Sequence, residues 1–147
     1  MRKISKLFTI PQVTAITGIK EYRLRNFIRH DLLPMQKIGN KIYFDLNTLI
    51  EIKCIVTLDL LPNQVQQIRQ YFESINLSNT LADKWLLVFD RTIIYVENLN
   101  DLTLLTKNCM GQKLIGQVLL PDLYAELRTQ AKVLKIDHYQ EKFSIAC

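Results

Sequence analysis

Within the stretch GIKEYRLRNFIRHDLLP, the side chains of Lys20, Tyr22, Arg23, Arg25, Asn26 and Arg29 can bind an anion or read a flat polar edge. Two further cations, Lys37 and Lys41, flank the dipeptide Gly39-Asn40. Arginine presents a planar fork of N–H donors that matches a phosphate or the major-groove edge of guanine, and asparagine matches adenine in the same two-bond manner. Lysine supplies a point charge. These residue types suit nucleic-acid recognition, with Lys20, Tyr22, Arg23 and Asn26 reading base edges and Arg25 and Arg29 holding phosphates. The plain alternative for such a run is a solvated basic helix face.

The distribution of charge favours the first reading. From Met1 to Phe44 the chain carries nine Lys/Arg against two Asp/Glu, whereas residues 76–147 carry eight of each, within a total of +5. An acidic partner is expected at the basic end, and a nucleic-acid backbone is the commonest one. The 147 residues, 48% hydrophobic, are those of a globular chain with one domain or two small ones. No run approaches the roughly 18 uncharged apolar residues of a membrane helix. The opening MRKISKLFTI halts at Pro11 without a small-residue cleavage site, so no secretory leader is expected.

Catalysis finds little footing. The chain has no glycine-rich phosphate loop, no HExxH and no GxSxG, and its two histidines, His30 and His138, sit apart. His30 is expected at the end of a basic helix, where the helix dipole or a phosphate suits it, and His138 in solvent. Cys54, Cys109 and Cys147 form no CxxC pair, which disfavours a disulfide framework or a zinc site. Cys54 reads as a small buried hydrophobe, and a thiol metal sensor would need three distant cysteines to converge. An effector pocket lined by Trp85, Tyr95 and Tyr124 competes with an equally good reading of those rings as core. The chain is expected to be no enzyme, to hold no cofactor or metal, and to work in the reducing cytoplasm.

The elements that would carry the basic residues follow from period and punctuation. Pro11 to Thr17 reads as a short helix, with proline in the first turn, Val13 and Ile16 as its apolar stripe, and Gly18 as a left-handed cap. A second helix follows from Lys20 to His30. It turns Leu24, Phe27 and Ile28 inward and Tyr22, Arg25, Asn26 and Arg29 outward, with Arg23 on the flank. Two short helices joined by a glycine-containing turn form a helix-turn-helix, whose second helix enters the major groove. Gly39-Asn40 predicts a two-residue hairpin turn with Lys37 and Lys41 near its tip, a basic wing. Asp45 is a good N-cap for a third, nearly all-apolar helix, LNTLIEIKCIVTL, and a fourth begins near Pro62, with Arg69 as a further phosphate candidate.

This arrangement, in FTIPQVTAITGIKEYRLRNFIRHDLLP, the hairpin and LNTLIEIKCIVTLDLLPNQVQQIRQYF, resembles the winged helix-turn-helix of MerR-type DNA-binding proteins. The resemblance rests on Phe8-Thr9-Ile10, Gly18-Ile19, Leu24-Arg25-Asn26-Phe27 and Leu32-Leu33-Pro34, and covers about Phe8 to Phe72. It implies DNA binding through the second helix and the wing, with Arg25 and Arg29 on positions of family arginines. Asn26 departs from the family, which has an aromatic there. Lys41-Ile42-Tyr43-Phe44 only approximates the family's Arg-x-Tyr after the wing, and the long dimerisation helix is missing.

Beyond the Ser- and Asn-rich segment 76–83, read as a linker, the runs Trp85–Phe89 and Thr92–Val96 predict a β-hairpin around Asp90-Arg91. LTLLTKN reads as a short helix that Gly111 breaks, KLIGQVLL as a third strand, and PDLYAELRTQAKVL as a last helix. Residues Lys84 to Glu126 faintly resemble the C-terminal part of winged-helix antitoxins that pair with PIN-domain ribonucleases. The expected fold is thus α+β: residues 1–75 a MerR-like winged helix-turn-helix, 76–83 a linker, and 84–147 a small α+β module for dimerisation or partner binding. The expected function is sequence-specific regulation of transcription on double-stranded DNA by a homodimer, acting as repressor or autoregulator. The alternative is an antitoxin that neutralises a toxin ribonuclease through its C-terminal half.

Overall fold

The first helix, α1 (Ile10–Thr17), begins with a reciprocal cap. The Gln12 amide N–H donates to the Thr9 hydroxyl at 3.3 Å, and the Thr9 N–H donates to Gln12 Oε1 at 3.0 Å. It ends at Gly18, whose φ of +82° lies in the left-handed region and whose N–H reaches the Thr14 carbonyl at 3.0 Å. The computed structural model describes residues 6–74, 85–89, 93–96 and 114–143, and the chain is α+β.

After Gly18, Ile19 and Lys20 comes α2 (Glu21–Arg29), which buries Leu24 and Phe27. The sequence placed this helix from Lys20 to His30, and those two residues are its caps. Asp31 takes the left-handed conformation (φ +56°), and the Leu32 N–H returns to the Phe27 carbonyl at 2.9 Å. That turn brings Leu33 back into the core. Strands β2 (Gln36–Ile38) and β3 (Lys41–Phe44) form the expected hairpin about Gly39 (φ +63°) and Asn40. A third strand, β1 (Phe8–Thr9), pairs with the other edge of β3, Phe8 opposite Phe44. Two residues carry no readable period, so β1 was not anticipated.

Asp45 caps α3 (Leu46–Leu58), its side chain accepting from the Thr48 N–H at 2.9 Å. The chain reverses at Asp59 (φ +51°) into α4 (Pro62–Ser74). Between these two helices Arg69 donates from Nη1 to Glu51 Oε1, with Glu51 buried.

Strands β4 (Trp85–Phe89), β5 (Ile93–Val96) and β6 (Leu114–Leu119) make an antiparallel sheet in the order β5-β4-β6. Then follow α5 (Leu120–Val133) and α6 (Tyr139–Lys142), the latter unforeseen. The expected linker 76–83, the Asp90-Arg91 connection and the LTLLTKN helix lie outside the described residues.

Residues from both parts of the sequence share one core. Val13 and Ile16 of α1, Leu49, Ile52 and Ile55 of α3, and Leu123, Leu127 and Ala131 of α5 belong to a single buried cluster with Val88 and Val118. Strand β6 runs close to the end of α3, where a Cβ added at Gly116 would lie 2.7 Å from Leu58 Cδ2. The C-terminal residues grip β1. The Phe143 ring meets Phe8 edge-on at 5.4 Å, Tyr124 donates its hydroxyl proton to the Phe143 carbonyl, and Lys142 donates to the Leu7 carbonyl.

Candidate nucleic-acid interface

The cap of α2 is Lys20, exposed and making no side-chain cap of its own. The helix then sorts the candidates by direction over about two turns. Tyr22 is 73% exposed, and Arg25, Asn26 and Arg29 are exposed as well, while Leu24 and Phe27 face the core. The helical period alone produces this division. Arg29 stands in the last turn, where a cation suits the negative end of the helix dipole, and exposed His30 follows as the C-cap.

Arg25 is not idle in the free protein. Its Nε–H donates to Glu21 Oε2 at 2.7 Å, with the two side chains 52% and 56% exposed. A pair this exposed contributes only about 0.5 kcal/mol, so a phosphate can displace Glu21 at little cost. Arg23 differs. Its Nη2 donates to the Leu60 carbonyl at 2.9 Å and its guanidinium lies 5.4 Å from the centre of the Phe27 ring. The sequence reading sent it to a base edge, whereas the fold turns its head toward the α3–α4 turn.

The hairpin separates its two lysines. Lys37 pairs with Ile42 and Lys41 with Ile38, and cross-strand partners share a face while neighbours along a strand alternate. Lys37 and Lys41 therefore lie on opposite faces of the ribbon, both exposed. Lys41 is the one brought to α2. Together with Arg25, Asn40 and Ile42 it lines a recess of about 340 Å³ that also includes Thr9, Ile10 and Pro11, the N-cap and first residues of α1. The first turn of α1 has no acidic residue. The recess thus combines two cations and a side-chain amide. The Thr9 and Gln12 N–H groups beside it are taken by the capping box and Pro11 has none. A phosphate or other oxyanion there would rest on Arg25, Lys41 and Asn40.

Thr9, Pro11 and Asn40 were read from the sequence as structural signals and not as site residues. Only the hairpin's fold onto α1 brings them beside Arg25. Glu21, four residues before Arg25, could have been found from helical spacing. A wider hollow of about 620 Å³ lies between α1 and α5, lined in part by Thr17, Lys53, Glu126 and Gln130. It mixes charge of both signs, and none of the residues predicted to meet nucleic acid lines it.

Other candidates fall elsewhere. Arg69, considered for phosphate, is engaged with Glu51. Cys54 is fully buried, and burial first, then the nearby Glu51 carboxylate, pushes its thiol pKa far above the ordinary value, which leaves it a packing residue. Cys109 and Cys147 lie outside the described residues. Among the described residues, no group of three His, Cys, Asp or Glu could hold a metal ion, and no helix is long and apolar enough to cross a membrane. Tyr124 is half-buried with its hydroxyl on the Phe143 carbonyl, a packing position. No protein-family model matches the sequence, and a search of curated proteins finds no match.

Proposed function

We propose that the protein is a sequence-specific DNA-binding regulator of transcription, in which α1, α2 and the β2–β3 hairpin act as a winged helix-turn-helix of the MerR-like kind. The observation that carries this reading is the recess at the start of α1. Arg25 from α2 and Lys41 from the hairpin, on separate elements, both line it beside an exposed row of polar side chains. In this reading Lys20, Tyr22 and Asn26 face base edges, and Arg25, Arg29 and Lys41 hold phosphates. Lys37, on the other face of the wing, reaches a neighbouring stretch of backbone. One such head makes few contacts, so useful affinity comes from a homodimer on two half-sites.

The test is fluorescence anisotropy with a duplex from upstream of the protein's own gene, against a scrambled duplex, over a series of salt concentrations. Each neutralised phosphate contributes about −0.9 to the log–log salt slope, so a slope steeper than about −4 corresponds to roughly five phosphates. Specific binding with such a slope supports the reading, and equal, shallow binding to both duplexes removes it. Co-purification of a small ribonuclease that the protein inhibits would favour the antitoxin alternative.

A further inference from the structure

Arg23 stands apart from the other cations of α2. It is half-buried, and it connects α2 to a carbonyl thirty-seven positions along the chain. Leu60 lies where α3 gives way to α4. Asp59 takes the left-handed conformation, and the Leu60 N–H closes α3 on the Ile55 carbonyl at 3.1 Å. The carbonyl of Leu60 sits in the turn between the two helices, and a guanidinium is a strong donor for it. The Phe27 ring, itself buried, flanks the same guanidinium. The fork is thus held on two sides, on a helix that buries only Leu24 and Phe27.

We propose that Arg23 is a positioning residue: its guanidinium, braced by the Phe27 ring of its own helix, ties α2 to the Leu60 carbonyl and so fixes how α2 is presented, and it does not touch DNA itself. The consequence for DNA rests on the function proposed above, whereas the hold on α2 is a property of the free protein. Lysine at this position keeps the charge and can donate from its ammonium but lacks the flat, forked face, so it restores the link only in part.

The experiment compares the wild type with Arg23→Ala, Arg23→Lys and Arg25→Ala. It measures amide hydrogen exchange in α2 without DNA and anisotropy with the upstream duplex across salt. Arg23→Ala is expected to speed exchange of the α2 amides and to weaken specific binding, each about tenfold, the equivalent of about 1.4 kcal/mol. Its salt slope stays that of the wild type, and Arg23→Lys lies between the two. Arg25→Ala, by contrast, loses about 0.9 from the slope. If the alanine variant fails to fold, the lysine variant gives the same comparison with smaller effects.

Unchanged exchange in α2 would overturn the proposal. So would a slope loss like that of Arg25→Ala, which would place Arg23 on a phosphate, or a relaxed preference at a single base pair, which would place it on a base edge. A wild type that binds no duplex, with α2 still loosened by Arg23→Ala, would overturn the DNA-binding reading while supporting the hold of Arg23 on its helix.

Discussion

Helix α2 buries Leu24 and Phe27 among its nine residues, whereas α3 buries eight of thirteen, the charged Glu51 included. The two helices divide the work of the molecule. Contacts on every side fix α3, which has little surface left to offer a partner. A narrow apolar seam and the Arg23 link hold α2, leaving Lys20, Tyr22, Arg25, Asn26 and Arg29 in solvent. A recognition surface needs exposed polar groups, and every group left exposed is one less anchor. Changes in α3 should therefore register as lost stability and, on the proposed DNA-binding function, changes on the outer face of α2 as lost binding.

The largest expected effect lies between α3 and α4. Arg69→Met removes the cation facing buried Glu51 and should cost about 3–5 kcal/mol in urea unfolding, much of it recovered by adding Glu51→Gln. Next, Ile52→Ala deletes a fully buried side chain and should cost about 3 kcal/mol. If either variant lost DNA affinity while keeping its unfolding midpoint, the division between the helices would fail.

Cys54 sharpens the same contrast through pH. Its thiol pKa is raised in the folded state, so the folded chain keeps a proton that the unfolded chain releases above about pH 8.5. The stability this provides is complete below that pH and declines as pH rises, by up to about 1.4 kcal/mol per unit. Cys54→Ala should remove this part of the alkaline decline, and native Cys54 should resist alkylation until the protein unfolds. Rapid labelling of the native protein at Cys54 would show that α3 opens more readily than its burial implies.

On α2 the effects are smaller in stability and, on the proposed function, visible in DNA binding. Arg25→Ala should change unfolding by no more than about 0.5 kcal/mol, as expected for an exposed site. Glu21→Gln, which frees Arg25 from its ion pair, should cost the helix about 0.3 kcal/mol. It should tighten DNA binding two- to threefold, roughly the factor that such a pair energy corresponds to. A Glu21→Gln variant that bound more weakly would mean that the carboxylate helps to present Arg25.

Much of the N-terminal fold was legible because local chemistry there is consistent. Proline in the first turn of α1, Gly18 after it, Asp45 before α3 and the Gly39-Asn40 turn each act within a few residues of themselves, and each element formed at or near its expected place. What failed to read was short or long-range. Strand β1 is too brief to show alternation, and α6 is a single turn. After α2 the left-handed residue is Asp31, where glycine is the usual choice, so residue type alone did not mark that turn.

The candidate site divides along the same line. The period of α2 by itself determined which of its residues are buried and which are exposed, because a helix fixes side-chain direction every 3.6 residues or so. Hairpin register then put Lys37 and Lys41 on opposite faces, and the fold of the ribbon over α1 put Lys41 with Arg25. The partner of Arg23 was likewise a tertiary matter, since a helical wheel gives the direction of a side chain and not what another segment places in its path. The sequence determined the elements and their apolar faces, which depend on neighbours along the chain. Only the tertiary structure decided which cations act together, because that depends on packing between segments distant in sequence.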